Sequence, residues 1–245
     1  MIGVPETCET IAREDLARTG CCLLSNVLSA DRVREILTHL QAGLARHTDD
    51  VCTSHGTVYA ARNVLEFAPE VASVRRIPVL DSFLNESLGA DFGLVRGLFF
   101  DKPPGQSWAL PWHKDLSIAV AGPHAPQPEY SVPRLKRGVW HCEPPLDVLE
   151  RMLTLRIHLD DMTPTNGPLE VLLESHHTGK ELRMESYSPR TILGQAGDVF
   201  AMRPLLVHRS GRSHPDSLEH RRILHLEFAA SADLPAGVRW HTFLR

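Results

Sequence analysis

From Phe92 onward the chain becomes a series of short segments rich in strand-forming residues, each closed by a turn signal, and this texture constrains the fold more than any other feature. The segments are 93–100, 108–115, 152–160, 169–173, 191–195, 199–202, 205–208 and 222–228. Between them lie Asp101-Lys102-Pro103-Pro104-Gly105, Asn166-Gly167-Pro168, Gly197-Asp198 and Ser210-Gly211, which read as turns. Residues 1–90 read instead as a mainly helical layer. Ser29 is a plausible N-cap with Asp31 in the first turn, and Val33, Ile36, Leu37, Leu40 and Leu44 follow at helical spacing. A second helical region runs from Pro69 to Leu88, with Gly89 as its stop. Many short strands behind a helical first third predict a mainly β fold, a double-sheet jelly roll packed against N-terminal helices. The expected organisation is one domain, 1–245: the helical layer 1–90, a β core 91–230, and a tail 231–245.

One stretch interrupts the strand pattern. Residues 122–147 hold six prolines and the basic run Arg134-Leu135-Lys136-Arg137. Loops of this length inside a compact domain tend to be binding loops or lids, and a lid-like insertion over a substrate site is the expectation here.

Composition narrows the function classes. Apolar residues make up 42% and charged residues 23%, values ordinary for a globular protein. A net charge of −4 argues against nucleic-acid binding, which depends on neutralising phosphates. The first residues lack the basic and apolar regions of a signal peptide, and no apolar run approaches the ~20 residues of a membrane span. The five cysteines, at 8, 21, 22, 52 and 142, are odd in number and contain no Cys-x-x-Cys. A disulfide framework and a cysteine-rich zinc site are therefore unsupported, and a cytoplasmic location is expected.

The chemistry is concentrated in Pro111-Trp112-His113-Lys114-Asp115. Residues two apart on a strand face the same side, so His113 and Asp115 can bind one metal, with His208 of Leu205-Leu206-Val207-His208 as a distal third ligand. Two His and one carboxylate on one face form the triad of non-haem Fe(II) oxygenases. The triplet alone is weak, because 14 His and 14 Asp in 245 residues give roughly one His-x-Asp by chance and four occur. His214/Asp216 has an intervening proline in a turn. His158/Asp160 is a credible rival, ending a strong strand. From Asp115 to His208 there are 93 positions, ample for the strands that must bring a distal ligand back; from Asp160 there are 48.

With these residues placed, the chain resembles the phytanoyl-CoA dioxygenase family. The matching segments run in the family's order across about residues 93–230: 99–105, Pro111 to Asp115, Leu159-Asp160-Asp161, Asn166-Gly167-Pro168-Leu169, Ser175-His176, Gly197-Asp198-Val199, His208-Arg209-Ser210 and Arg221-Arg222. Lys114 departs from the family, which often has Gln there. The resemblance implies a double-stranded β-helix and an Fe(II)- and 2-oxoglutarate-dependent dioxygenase using O₂, with His113, Asp115 and His208 as ligands and the 158–161 segment structural. It also implies an arginine on the last barrel strand for the 5-carboxylate of 2-oxoglutarate. Arg221 and Arg222 lie 13 and 14 residues after His208; they alternate faces, and Arg221 is the expected clamp. Asp115 favours oxidation over halogenation, because related halogenases have a small residue in its place. Lys102 reads as a solvated turn lysine, Trp112 as packing, and Arg156, His158 and Arg62 as candidate cavity residues.

The expected reaction is hydroxylation of a small molecule with release of succinate and CO₂. The basic run near the proposed mouth suggests an anionic substrate. A cupin-like metalloenzyme without 2-oxoglutarate, or a non-catalytic ligand-binding barrel, are the alternatives.

Overall fold

Strict alternation on three neighbouring strands builds the barrel wall in the computed structural model, which describes residues 8–47, 50–54, 57–105, 107–125 and 127–245. On β9 (Met152–His158) and β14 (Arg221–Ala229), Leu153, Leu155, Ile157, Leu224, Leu226 and Phe228 enter one large apolar core. The intervening residues Thr154, Arg156, His158, Arg221, His225 and Glu227 are polar yet buried. They share the other face because a strand's side-chain period is two. β4 (Gly93–Lys102) continues this pattern, with Arg96, Leu98, Phe100 and Lys102 opposite Glu227, His225, Ile223 and Arg221.

The remaining strands are β1 (Cys21–Leu24), β2 (Val51–Ser54), β3 (Thr57–Ala61), β5 (Leu110–His113), β6 (Ile118–Val120), β7 (Arg134–Lys136), β8 (Val139–Cys142), β10 (Leu169–Leu172), β11 (Pro189–Ile192), β12 (Val199–Met202) and β13 (His208–Ser210). They form a seven-stranded sheet, β1-β12-β9-β14-β4-β3-β2, a four-stranded sheet, β11-β10-β13-β5, and a three-stranded sheet, β6-β8-β7. All named pairings are antiparallel. The fold is the double-stranded β-helix expected, buttressed by helices.

The helices α1 (Cys8–Thr19), α2 (Ala30–Leu44), α3 (Val64–Phe67) and α4 (Pro78–Leu88), with a 3-10 helix Pro69–Arg76, supply the other half of the large core; α5 (Leu146–Glu150) precedes β9. Ser29 caps α2 by accepting the Arg32 N–H at 3.3 Å. Val33, Ile36 and Leu40 of that helix are buried, each worth about 1.5–3 kcal/mol when fully removed from water. No helix among the described residues is long and apolar enough to cross a membrane.

Several expectations are corrected. The mainly helical first 90 residues also carry three unexpected strands: β1 adds to the edge of the large sheet at β12, and β2 and β3 form a hairpin whose second strand pairs with β4. Lys102 ends β4 rather than lying in the turn, which starts only at Pro103. The strand expected over 108–115 is limited to Leu110–His113, that over 191–195 is Pro189–Ile192, and that over 205–208 starts at His208. The Pro-rich segment holds a hairpin, β7–β8, turned by Arg137 (φ 48°) and Gly138 (φ 77°); two positive-φ residues suit the twist of a tight hairpin. The tail also joins the fold: Leu244 bridges Leu94, and Trp240 bridges Val120 and is buried.

The turn before β12 shows why a glycine stands there. Gly197 has φ +94°, and a Cβ at this position would lie 2.3 Å from the Leu28 carbonyl oxygen. The adjacent Asp198 accepts the N–H groups of Asn26 and Gln195, both at 2.8 Å, pinning the start of the helical layer to the barrel. Gly197→Ala is expected to cost about 1–3 kcal/mol from backbone strain alone, and more if Leu28 cannot move; a denaturant midpoint equal to wild type would refute this.

Candidate active site

β5 and β13 pair so that His208 lies opposite His113. Their rings are 4.2 Å apart, centroid to centroid. The Asp115 backbone N–H donates to the Pro204 carbonyl at 2.9 Å, turning the chain just after β5. One donor atom from each of His113, Asp115 and His208 lies within 4.8 Å of the other two, the only such group of His, Cys, Asp or Glu among the described residues. Asp115 Oδ1 is 3.9 Å from His113 Nε2, and Oδ2 is 3.6 Å from His208 Nε2.

Each imidazole is oriented from behind. Nδ1 of His113 is 2.7 Å from the Pro111 carbonyl and Nδ1 of His208 is 2.9 Å from that of Leu206. A carbonyl accepts only, so the proton belongs on Nδ1 and the Nε2 lone pair faces the centre, the arrangement of a metal-ligating histidine. Burial pushes His208 down to about 4, against the pull of Asp115, so its ring is neutral near pH 7. Burial works to raise the Asp115 carboxyl, but His208, His225, His113 and Arg156 together hold it below its usual range. Its Oδ2 is buried without a hydrogen-bond donor. Two imidazoles presenting Nε2 to one centre, a carboxylate held ionised and its orphaned oxygen fit a divalent iron.

Behind this centre is a small cavity of ≈ 50 Å³ reached by Arg156, Ser210, Arg221 and His225. Arg221 is 1% exposed, and its Nε and Nη1 have no partner. Burial, and then Arg156 nearby, lower its pKa to about 9. Arg156 donates to His225 Nδ1 at 3.1 Å. Lys102, fully buried and not solvated as expected, donates to Ser210 Oγ at 2.6 Å, to the Gly167 carbonyl at 3.3 Å and to the Gly211 carbonyl. Burial, Arg221 and Arg156 push it down to about 6, whereas three acceptors suit an ammonium. Of the three basic groups, Arg221 alone has fully buried nitrogens without a hydrogen-bond partner, and a planar guanidinium is suited to grip a carboxylate.

Arg222 faces the other way. It makes a bidentate pair with Asp160, Nε to Oδ2 at 2.8 Å and Nη2 to Oδ1 at 2.6 Å. This occupies the carboxylate of the rival pair. His158 points to the barrel interior, without a partner for Nδ1; burial takes it down to about 4. Trp112 stacks on Arg209, with 4.6 Å from the guanidinium carbon to the ring centroid.

In front of the centre is a larger chamber of ≈ 360 Å³ that shares His113, Asp115, Leu98, Phe100, Trp108 and Leu110 with the small cavity. Tyr59, Arg62, Arg96 and Glu227 line its far side. Of these, only Arg62 is a candidate on sequence grounds. Arg96 and Glu227 are legible in principle, because they sit at the same alternation as Lys102 and Arg221. Tyr59 comes from the hairpin hidden in the helical third. Lys114 borders the chamber, but its Nζ donates elsewhere, to Ser175 O, Thr178 Oγ1 and Gly179 O.

The sequence matches the phytanoyl-CoA dioxygenase (PhyH) family over residues 16–222. It is similar to the L-proline trans-4-hydroxylase of Streptomyces griseoviridis, 22% identical over 92% of this chain and 88% of the relative. Among solved structures it is similar to EctD from S. alaskensis (TM-score 0.68, 18% identity, 94% of this chain and 79% of that one). It is also similar to SnoK, a non-haem α-ketoglutarate-dependent carbocyclase from nogalamycin biosynthesis (TM-score 0.67, 18% identity, 94% and 88%).

Two outcomes test the site. His113→Ala, Asp115→Ala and His208→Ala should each abolish stoichiometric Fe(II) binding with the fold retained, while His158→Ala should bind iron normally; titration of all four proteins checks this. The metal-free protein should also be acid-sensitive. His141, His158 and His208 are all held at about 4 when folded, against about 6.5 unfolded. The unfolded state therefore binds more protons between these values, and stability is lost as pH falls through that window, at up to about 1.4 kcal/mol per pH unit for each ring. Denaturant midpoints from pH 7 to 4 should show the slope, and His158→Gln should flatten it.

Proposed function

This chain belongs to the phytanoyl-CoA dioxygenase family, and from that premise we propose that His113, Asp115 and His208 hold its Fe(II), that Arg221 holds 2-oxoglutarate, and that it hydroxylates a small, anionic organic molecule. The enzyme is an Fe(II)- and 2-oxoglutarate-dependent oxygenase. The observation that carries the residue assignment is the buried Arg221 guanidinium, with two unpartnered nitrogens in the cavity that backs onto the candidate ligands. A cupin-like enzyme without 2-oxoglutarate has no dicarboxylate to receive, and would leave this buried charge without a purpose.

Iron and 2-oxoglutarate, when bound, supply the oxidation of a C–H bond, with succinate and CO₂ released. The protein's own residues do the positioning. Pro111 and Leu206 carbonyls set the two imidazole tautomers. The Ser210 hydroxyl and two carbonyls hold Lys102, and His225 holds Arg156, so the cavity wall is rigid around Arg221. Leu98, Phe100, Trp108 and Leu110 form an apolar collar between cavity and chamber, which limits water at the centre.

The outer chamber receives the substrate in this reading. Its volume of ≈ 360 Å³ suits a small molecule, and the named relatives, a hydroxylase of L-proline and a carbocyclase of nogalamycin biosynthesis, support that class. Residues 122–147 act as a lid within a one-domain chain. A cytoplasmic location accompanies this reading, in keeping with the free thiols of Cys21, Cys52 and Cys142.

Adding Fe(II) and 2-oxoglutarate without oxygen should give a weak visible charge-transfer band. Arg221→Ala should raise the 2-oxoglutarate concentration needed by two or more orders of magnitude, since breaking a desolvated charge pair costs roughly 3–5 kcal/mol. Arg222→Ala should leave that requirement nearly unchanged and lower stability instead. The reverse ranking would refute the assignment.

A further inference from the structure

The charges of the outer chamber are not balanced in the same way. Arg96 is satisfied: its Nη1 lies 3.2 Å from Glu227 Oε1 and 3.4 Å from the Ser117 carbonyl. Glu227 also lies 3.4 Å from His225 Nε2. That nitrogen carries the proton, because Nδ1 accepts from Arg156. Lys114 is committed to three oxygens outside the chamber. Asp115 belongs to the metal centre. Arg62 is left over. It lines the chamber, is half-buried, and has no hydrogen bond or ion pair from its guanidinium among the described residues.

The neighbouring residue Asn63 fixes the position of Arg62. Asn63 adopts φ 55° and donates through its side chain to Asp50 Oδ1 at 2.6 Å and to the Arg137 carbonyl at 3.0 Å. Asn tolerates this conformation better than most residues. The end of β3 is thus fastened to the β7–β8 turn, and Arg62 is held between them. On the other side of Leu116 and Ser117 a second recess of ≈ 380 Å³ carries Arg134, Lys136 and His141. His141 is 2% exposed, with no partner for Nε2. Desolvation first, and then Arg62, Arg96 and Arg134, depress the Lys136 ammonium, so these cations feel one another. Glu227, the chamber carboxylate that acts on Arg62 without contacting it, is already shared by Arg96 and His225.

We propose that Arg62 is the substrate anchor, binding a carboxylate or phosphate group of the molecule whose C–H bond is presented to the metal centre. This rests on the oxygenase reading above for what the chamber holds. It places the anion on a guanidinium carried by a fastened stretch of backbone at the chamber wall and gives the basic strand β7 the lesser role of raising the local potential. It also assigns Arg62 a task distinct from Arg221: one arginine for the substrate's anion, the other for the cosubstrate's.

The protein loaded anaerobically with Fe(II) and saturating 2-oxoglutarate has Arg221 occupied, so added acids report on the chamber. The probes are a homologous series of aliphatic and cyclic monocarboxylic acids, the matching amides, and matching phosphate monoesters, each titrated against the visible band. Acids or phosphates should perturb the band and amides should not. Arg62→Gln should weaken that response by roughly tenfold or more, and Arg62→Lys should restore part of it. Phosphates acting more strongly than acids would assign the same anchor to a phosphate. The proposal is overturned if no anion perturbs the wild-type band, if amides act equally, if Arg62→Gln responds as wild type, or if it loses the band itself.

A metal-free measurement separates failure of this idea from failure of the iron reading. Cys52 lines the chamber and is partly exposed, whereas Cys21, Cys22 and Cys142 are buried. In a Cys8→Ser background, Cys52 should react faster with an anionic, sulfonate-bearing methanethiosulfonate than with a cationic, trimethylammonium-bearing one. Arg62→Gln should lower that ratio several-fold. An unchanged ratio would show that Arg62 does not set the chamber's field.

Discussion

Lys102, Arg156 and Arg221 enter one interior space from three adjacent strands, and among the described residues no carboxylate pairs with Arg221. Like charges directly opposite on neighbouring strands repel, and Lys102 stands directly opposite Arg221. The barrel tolerates this because Lys102 donates to three fixed acceptors, Arg156 donates to His225, and the large apolar core behind β9 and β14 holds the strands in register. If Arg221 is the clamp proposed above, an arriving dicarboxylate would meet a cation already stripped of water. Little would have to reorganise on binding, and its charge would relieve a repulsion stored in the fold. Ligand binding of this kind adds directly to the stability of the folded state.

How much of this is legible in the sequence depends on whether periodicity or context determines each element. The alternation of β9 and β14 is visible, and so is the placement of Arg221 and Arg222 on opposite faces. The segment 51–61 is not, because Val51 to Ser54 and Thr57 to Ala61 are short and lie between helical stretches that dominate a local reading. Here pairing with β4 decides the structure, a long-range contact that no window contains. The β7–β8 hairpin is hidden by surrounding prolines and by an Arg-Gly turn, a weaker signal than Asn-Gly or Asp-Gly.

Lys102 shows a different limit. The turn signal in Pro103-Pro104-Gly105 is real, but the turn begins one residue after the lysine rather than including it. A boundary error of two positions changes a solvated side chain into a fully buried one. The metal-site candidates escape this problem because two of them lie on one short segment. The choice between Asp115 and Asp160, open on sequence alone, is met in space by Arg222 occupying Asp160.

β14 threads both compartments. Arg221 lies at the inner cavity, His225 borders it, and Glu227 is in the outer chamber, all on one face of one strand. Immediately after Glu227 the pairing with β4 shifts register at a bulge. A residue inserted or deleted before that bulge would exchange Arg221 for Arg222 and turn every chamber residue of the strand outward. Substrate range in such a barrel can therefore drift by replacing side chains at alternate positions, as at 96, 98 and 227, but not by changing the strand's length. Loop lengths around the chamber have no such restriction, so the hairpins β2–β3 and β7–β8 are where lineages of this architecture have room to diverge.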